Sequence, residues 1–156
     1  MLIELAVSFI ATLAFAVVFN VPVRYLLPGA FAGTIGWLIF RSLGSTNTAI
    51  FLASVGIGLL AEGGAHMFRV PVLIIAVPGI IPLVPGVGAY STMLALVKGD
   101  FIGALTTGAE TLFAAGAIAV GIALATVPLR LVRKGGARHV RKTAHTHITS
   151  FDSPKR

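Results

Sequence analysis

Groups that could bind a polar ligand are concentrated around one proline-rich segment of the chain. The segment VPGIIPLVPGVGAY runs from Val77 to Tyr90 and places three prolines and three glycines among apolar residues. Proline lacks a backbone N–H, and its ring clashes with the preceding helical turn. Pro78, Pro82 and Pro85 therefore cannot all lie inside one regular helix without freeing backbone carbonyl groups. Freed backbone groups inside a membrane must be satisfied by protein, by a solute or by an ion, so the segment predicts an interrupted helix that contacts a ligand.

The residues that follow the interruption extend this predicted site. Gly86 and Gly88 permit the close approach of a ligand or a neighbouring helix, and a half helix that starts near Gly86 offers its N–H groups to a carboxylate. The predicted substrate-binding residues are Pro82, Pro85, Gly86, Gly88, Tyr90, Ser91 and Thr92. A tight loop between two short helices, with no ligand, is the alternative interpretation, and the sequence leaves it open.

Ionisable residues within the apolar runs form a second group of candidates, because a charge inside a membrane is usually functional. Glu62 and His66 are four residues apart, share one face of a helix, and are candidates for proton or ion coupling. In the alternative interpretation both lie at the membrane interface, the Gly-Gly pair that follows Glu62 ends the helix, and Arg69 neutralises Glu62. Glu110 lies within the last apolar run and is a third coupling candidate, facing either the transport path or the outer headgroups.

Two polar residues follow the first apolar run and mark a candidate substrate entrance. Asn20 either lines this entrance or caps a helix. Arg24 either pairs with a substrate carboxylate on the cytoplasmic side or only sets the orientation of the chain, because positively charged residues are retained on that side of a membrane.

The sequence predicts no metal site, no cofactor and no enzymatic activity. Cysteine is absent, which excludes disulfides, thiolate metal sites and a cysteine nucleophile. His145 and His147 have no supporting carboxylate or thiol and make a weak metal site. An intramembrane hydrolase needs a nucleophile and a base at depth, but Ser91 lies in the sequence AYSTM rather than in G-x-S-x-G, and His66 is the only histidine near an apolar run.

Five apolar runs carry these residues. Hydrophobic residues make up 56% of the chain and charged residues only 11%, and the mean hydropathy is +0.97, whereas about 25% of the residues of a soluble domain are charged. Lipid must therefore surround most of the chain. The predicted fold is an all-α integral membrane protein with four to five transmembrane helices, one of them broken by the Pro/Gly-rich interruption. The predicted spans are 2–20, 25–40, 48–68, 70–97 and 101–131.

Small residues on two of these runs predict close packing between helices. The two stripes are Gly29, Gly33 and Gly36 on the second run and Ala117, Gly121 and Ala125 on the fifth. The fifth run would make a helix of roughly 45 Å, which is longer than the hydrocarbon core. We therefore expect it to tilt, to break near Gly103–Gly108, or to begin in the membrane interface.

Positive charge is concentrated at the C-terminus and sets the predicted orientation. The net charge is +7, and eight of the 12 Lys and Arg residues lie at or after Arg130. An apolar run directly precedes this basic segment, so an anchor at the cytoplasmic leaflet is favoured over nucleic-acid binding. We expect residues 134–156 to form a disordered cytoplasmic tail, and five crossings then place the N-terminus outside. If the fourth run were re-entrant, both termini would share one side.

Two motifs resemble those of a known family. They are F-N-V-P-V-R from Phe19 to Arg24 and I-P-L-V-P-G-V-G-A-Y-S-T from Ile81 to Thr92. Both are similar to the threonine/serine exporter family, in particular to its small split subunit, as in the bacterial two-component succinate exporter. The resemblance extends over about residues 2–133, which is nearly everything except the tail.

The resemblance implies a multi-pass protein of the bacterial inner membrane that works with a larger membrane subunit of the same family, in a homo- or hetero-oligomer. Together the subunits would export a small polar metabolite, either threonine and serine or a dicarboxylate such as succinate. The broken motif of the family falls here on Pro82, Pro85, Gly86 and Tyr90. A non-transporting accessory subunit that stabilises the larger partner is the alternative function, and a channel is a third.

Overall fold

A computed structural model describes residues 2–149 of the chain, and it describes the side chains of residues 2–127. Over the described residues the backbone is helical and contains no strand, which confirms the predicted all-α class. The elements are α1 (Leu2–Val18), α2 (Val23–Ser42), α3 (Asn47–Phe68), α4 (Leu73–Ile80), a 3-10 turn (Ile81–Leu83), α5 (Gly86–Val97) and α6 (Phe101–Thr149).

Length and hydropathy identify the helices that can span a membrane. Among the described residues α2, α3 and the Phe101–Val127 part of α6 are each long and apolar enough, and the bent pair formed by α4 and α5 makes a fourth if it is counted as one span. α1 is a shorter apolar helix of 17 residues, and at about 26 Å it approaches the hydrocarbon thickness of about 30 Å. The predicted multi-pass architecture with one broken helix is therefore confirmed.

Two side-chain contacts define the two ends of the bundle. At one end, Arg41 of α2 forms an ion pair with Glu4 of α1, with 3.2 Å between Nε and Oε2. At the other end, the Arg24 guanidinium lies over the Phe68 ring, 5.9 Å from the ring centroid. We call these the Glu4 end and the Arg24 end. The first three helices cross between them in alternating directions, because each of these contacts joins the end of one helix to the start of another.

The glycine stripe of α2 is the surface on which the neighbouring helices pack. A Cβ atom on Gly33 would lie 2.6 Å from Thr12 Oγ1 in α1 and 3.1 Å from the Gly79 carbonyl oxygen in α4. The other contacts of the stripe join Gly29 to Pro78 and Gly36 to Ile57. Close packing at this stripe is therefore confirmed, because only a glycine leaves room for helices at these separations.

The fourth span runs from the Arg24 end toward the Glu4 end. Val72, just before α4, belongs to the same buried cluster as Ala65 near the end of α3, whereas Leu83 belongs to the cluster that contains Ile50 near the start of α3. The 3-10 turn of this span packs against α1 and α2, so these helices cover the span on one side.

The last helix, α6, packs against α3 through its own small-residue stripe. Gly121 lies against Ser54, and Ala125 lies against Gly58. Because the residue numbers of these contacts increase together in both helices, α6 runs parallel to α3 and leads toward the Arg24 end. The helix is continuous through 103–108, so of the three alternatives for this long run the break at that place is wrong. Its first turns instead extend past the start of α3 and pack against α5.

The predicted basic tail, residues 134–156, lies outside the part of the chain whose side chains are described. The same holds for its two candidate metal ligands, His145 and His147. The disorder and the cytoplasmic location of the tail stay predictions.

Candidate functional site

The predicted interruption is present in the fourth span. α4 ends at Ile80, the 3-10 turn ends at Leu83, and α5 begins at Gly86, with an angle of 54° between the two parts of the span. We call residues 80–86 the break. Leu83 is buried, with 4% of its surface exposed, whereas Gly86 is exposed. The break therefore begins in the core of the bundle and ends at its surface.

The three prolines of the segment have different local roles. Pro78 lies inside α4 and is fully buried. Pro82 occupies the first turn of the 3-10 helix, where its fixed φ fits and no N–H donor is required. Pro85 directly precedes α5, with φ −39° and ψ 50°. The helix is therefore interrupted at the second and third prolines, while the first is accommodated within it.

The first turn of α5 presents backbone amides at the surface. The Ala89 N–H donates a hydrogen bond to the Pro85 carbonyl oxygen at 3.2 Å. The N–H groups of Val87 and Gly88, in the turn that every helix leaves without internal acceptors, find no acceptor among the described residues. Val87 is 81% exposed, so a group from outside this chain can reach the turn.

The predicted substrate-binding side chains of α5 lie on two different faces. Thr92 Oγ1 donates to the Gly88 carbonyl oxygen at 2.8 Å, and Thr92 also packs against Gly108 of α6. Tyr90 lies midway between Gly88 and Thr92 in the sequence, so it is on another face of the helix. Its side chain is 67% exposed. Ser91 is half-buried. No residue of α5 is buried, so this chain supports the site from the α6 side only.

A second candidate site lies at the Arg24 end, where α3 turns into α4. A cleft of about 440 Å³ is lined by Glu62, Ala65, His66, Arg69, Val70 and Val72. We call it the Glu62 cleft. Glu62 is only 5% exposed, while His66 and Arg69 are exposed. The cleft therefore combines a buried carboxylate with an imidazole and a guanidinium at its mouth.

The end of α3 places these three side chains together. The helix continues past the Gly-Gly pair to Phe68, so the interpretation in which the glycines end the helix is wrong. Arg69, the residue that caps the helix, has a left-handed backbone conformation with φ 56° and ψ 44°. Glu62, His66 and Arg69 follow one another at intervals of about one helical turn and therefore share one side of α3.

The remaining predicted residues lie at different places in the bundle. Arg24 lies at the same end as the Glu62 cleft, and Asn20 is exposed in the connection between α1 and α2, with φ 54°. Glu110 is exposed in the part of α6 that packs against α5. The structure therefore does not bring Glu110 together with Glu62, although both were predicted to take part in coupling.

Comparison with known protein families identifies the family of the chain that contains both regions. The family model described as "Threonine/Serine exporter, ThrE" matches residues 4–127. The chain belongs to the threonine/serine exporter family. The match extends from α1 into α6 and includes both the break and the Glu62 cleft. No solved structure matches the chain.

Membership of the exporter family agrees with the apolar helices and makes this chain a multi-pass membrane transporter of the threonine/serine exporter type. The proteins of this family are transporters rather than enzymes. Among the described residues, no group of three or more His, Cys, Asp or Glu side chains is placed to hold a metal ion. In a transporter, the break and the Glu62 cleft are both candidate sites for a solute.

Sequence reasoning found the break in this exporter-family protein but missed the Glu62 cleft as a cavity. The residue spacing suggests Arg69 only as a partner for Glu62 and gives no role to Val70 or Val72. A usable signal was present, because Pro71 disfavours helical backbone at the residue before it. This preference favours a helix end near Arg69, and a turn at that point opens space beside the preceding helical face.

Proposed function

We propose that this chain is the small subunit of a two-component secondary transporter. With a larger membrane subunit of the same family, it exports a small polar metabolite, such as threonine, serine or a dicarboxylate like succinate, across the bacterial inner membrane. The break is the observation that carries the proposal, because an apolar span is bent by 54° at a turn with N–H groups at its surface.

The backbone of the break is suited to bind a carboxylate. The first N–H groups of a helix carry a partial positive charge and bind anions, and Val87 and Gly88 supply two of them. The Tyr90 hydroxyl belongs to the same short helix and adds a hydrogen-bonding group. Discontinuous helices in many transporters present such ends to a substrate within the membrane. Threonine, serine and succinate all carry the carboxylate that this site requires.

The same amides support a role for a larger partner. An unsatisfied amide costs several kcal/mol in hydrocarbon, so the first turn of α5 is poorly suited to face lipid. This chain covers α5 on the α6 side and leaves Val87, Tyr90 and Met93 exposed. A second subunit packed near this face would exclude lipid and enclose a polar path along the break.

The charges at the two ends of the bundle support an orientation with the Arg24 end in the cytoplasm. Arg24 and Arg69 lie at this end, whereas Arg41 at the Glu4 end is paired with Glu4. Lys and Arg are enriched on the cytoplasmic side of membrane proteins. Since α6 leads toward the Arg24 end, the basic residues from Arg130 onward are directed to the same side.

Efflux of radiolabelled serine, threonine and succinate from cells that carry this chain and the larger subunit tests the proposal. Pro85→Ala removes the residue that turns the chain into α5, and we expect efflux to fall about tenfold or more, which corresponds to about 1.4 kcal/mol of transition-state free energy. Tyr90→Phe removes one hydroxyl, and we expect a fall of about threefold to tenfold, as for one lost hydrogen bond.

Each of these variants has a matched control in the same chain. Pro28→Ala removes a proline that lies inside α2, and Tyr25→Phe removes the only other tyrosine hydroxyl. Neither residue belongs to the break, so we expect efflux close to that of the wild type at equal protein amounts. Wild-type efflux in both Pro85→Ala and Tyr90→Phe would contradict a substrate-binding role for the break.

An accessory subunit that binds no solute is the second candidate function, and the exposed apolar face of α5 favours it. In that case, deletion of this chain lowers the amount of the larger subunit in the membrane, and efflux per remaining complex is unchanged by Pro85→Ala. The transporter function predicts the opposite pattern, with normal amounts of both subunits and slow efflux in the Pro85→Ala variant.

A further inference from the structure

We propose that the Glu62 cleft binds an α-amino acid as a zwitterion, with Glu62 holding its ammonium group and Arg69 its carboxylate. The inference rests on the proposed export function and adds a side-chain site to the backbone site of the break. It also assigns a preference, because the chemistry of the cleft favours an amino acid over a dicarboxylate.

The cleft has the size of a small-molecule site. Its volume of about 440 Å³ lies within the range of about 300–1,000 Å³ that is usual for ligand pockets. Three apolar side chains, Ala65, Val70 and Val72, share the lining with Glu62, which is 5% exposed. In surroundings of low dielectric, a carboxylate interacts strongly with any cation that enters the cleft.

The charges along the lining match a zwitterion and oppose a dicarboxylate. Glu62 contributes a carboxylate, Arg69 a guanidinium, and His66 is the only other titratable side chain of the lining. The ammonium and carboxylate groups of an α-amino acid each find a group of opposite charge. A dicarboxylate brings a second carboxylate toward Glu62, where the repulsion is weakly screened. The cleft therefore distinguishes an amino acid from a dicarboxylate both by attracting the first and by repelling the second.

The cleft and the break lie at the two ends of one short helix. α4 starts at Leu73, next to the cleft, and ends at Ile80, where the break begins; its eight residues span about 12 Å. In the proposed orientation the cleft is on the cytoplasmic side, so an exported solute meets it first. The exposed cations Arg24 and Arg69 at this end attract the carboxylate of an approaching solute.

Export kinetics measured with the complete two-subunit transporter test the inference. Arg69→Gly removes the guanidinium and at the same time relaxes the left-handed backbone, so the variant is expected to accumulate normally. We expect its half-saturation concentration for serine and threonine to rise about tenfold or more. Ser45→Gly relaxes the same backbone conformation, φ 56°, at the Glu4 end, and as the matched control it is expected to keep wild-type kinetics.

The Glu62→Gln variant tests the preference directly, because it keeps the shape of the side chain and removes its charge. We expect serine to bind more weakly and succinate more tightly, so that the preference for serine over succinate falls about tenfold. An unchanged preference overturns the inference. An equal loss of export for all three solutes, with less protein in the membrane, shows that Glu62 has a structural role and also overturns it.

Binding of radiolabelled serine to the purified full-length chain separates this inference from the export function. Serine bound by the wild type and by Ser45→Gly, but not by Arg69→Gly, supports the cleft even if the two subunits export nothing, and only the export function then fails. Export that continues with unchanged kinetics in Arg69→Gly overturns the cleft and leaves the export function intact. The same conclusion follows if the wild-type chain binds no serine and the kinetics of Arg69→Gly are normal.

Discussion

The break and the Glu62 cleft lie at opposite ends of α4 and are built from different chemical groups. The break offers backbone N–H groups, at a surface that this chain leaves open on one side. The cleft offers charged side chains, around a carboxylate that is 5% exposed. In the proposed complex a partner subunit completes the first region, whereas the described lining of the second belongs to a single chain.

The two regions also differ in what they can recognise. Helix N–H groups bind any carboxylate, so the break does not distinguish an amino acid from a dicarboxylate. The cleft presents both signs of charge and distinguishes them. We therefore expect variants of the break to slow the export of every solute by a similar factor, and variants of the cleft to change the order of preference among solutes.

The largest effect is expected from a substitution that disturbs both regions together. Gly33→Ala places a Cβ atom 2.6 Å from Thr12 Oγ1 and 3.1 Å from the Gly79 carbonyl oxygen, so Thr12 of α1 must shift and α4 must also adjust. Overpacking of this kind costs about 1–3 kcal/mol, so we expect thermal unfolding of the purified protein at a lower temperature and loss of export for all solutes.

Gly116→Ala is the matched control for this substitution. A Cβ atom at Gly116 meets nothing within 4 Å, and replacing glycine by alanine inside a helix stabilises it by up to about 1 kcal/mol. Unfolding temperatures that are equal in Gly33→Ala and Gly116→Ala would show that the stripe on α2 does not position the two regions.

A double variant of Pro85→Ala and Arg69→Gly measures whether the two regions act separately. Substitutions more than about 10 Å apart usually have additive effects on free energy, so we expect the loss of serine efflux to be close to the product of the two single losses. Efflux is measured at equal amounts of protein. If the double variant is no slower than Pro85→Ala alone, the two regions do not contribute independently.

A smaller effect is expected from Arg69→Lys, which keeps the positive charge but removes the planar fork of the guanidinium. Arginine binds a carboxylate through two parallel hydrogen bonds and lysine does not. We expect a rise of about threefold in the half-saturation concentration for serine, with little change for succinate. A loss as large as that of Arg69→Gly would indicate that the shape of the side chain, rather than its charge, determines binding.

The smallest effect is expected at the Glu4 end. The side chains of Arg41 and Glu4 are 53% and 39% exposed, and exposed ion pairs contribute about 0–1 kcal/mol. Glu4→Gln is therefore expected to shift the unfolding temperature slightly at low salt and less at high salt, with solute preference unchanged. A change in preference would mean that the two regions also depend on this end of the bundle.

The break was predictable because its causes are local in the sequence. Pro82 and Pro85 interrupt the helix through their own ring geometry, and Gly86 begins the next helix. The continuity of α6 also had a local signal that was overlooked. The Gly103 N–H donates to Asp100 Oδ1 at 2.9 Å, so an aspartate caps the helix and the following glycine lies in its first turn, where it does not cause a break.

The Glu62 cleft was only partly predictable because its causes are distant in the sequence. The four-residue spacing of Glu62 and His66 indicated a shared helix face, but the burial of Glu62 depends on how α4 packs. That packing is set by the contact of Gly33 with Gly79 and by the turn at Arg69. Helical periodicity does not reveal such contacts between separate segments.

The central claim is that the first turn of α5 contacts the exported solute in the complex with the larger subunit. The chain has no cysteine, so Val87→Cys introduces a single thiol at this turn, and Leu52→Cys places one on the 48% exposed surface of α3 as a lipid-facing control. The measurement is the rate of labelling by a water-soluble maleimide, with and without solute. The account predicts that Val87→Cys is labelled, that serine slows this labelling, and that Leu52→Cys stays unlabelled. Labelling of Val87→Cys that is absent, or that serine, threonine and succinate all leave unchanged, would contradict the claim.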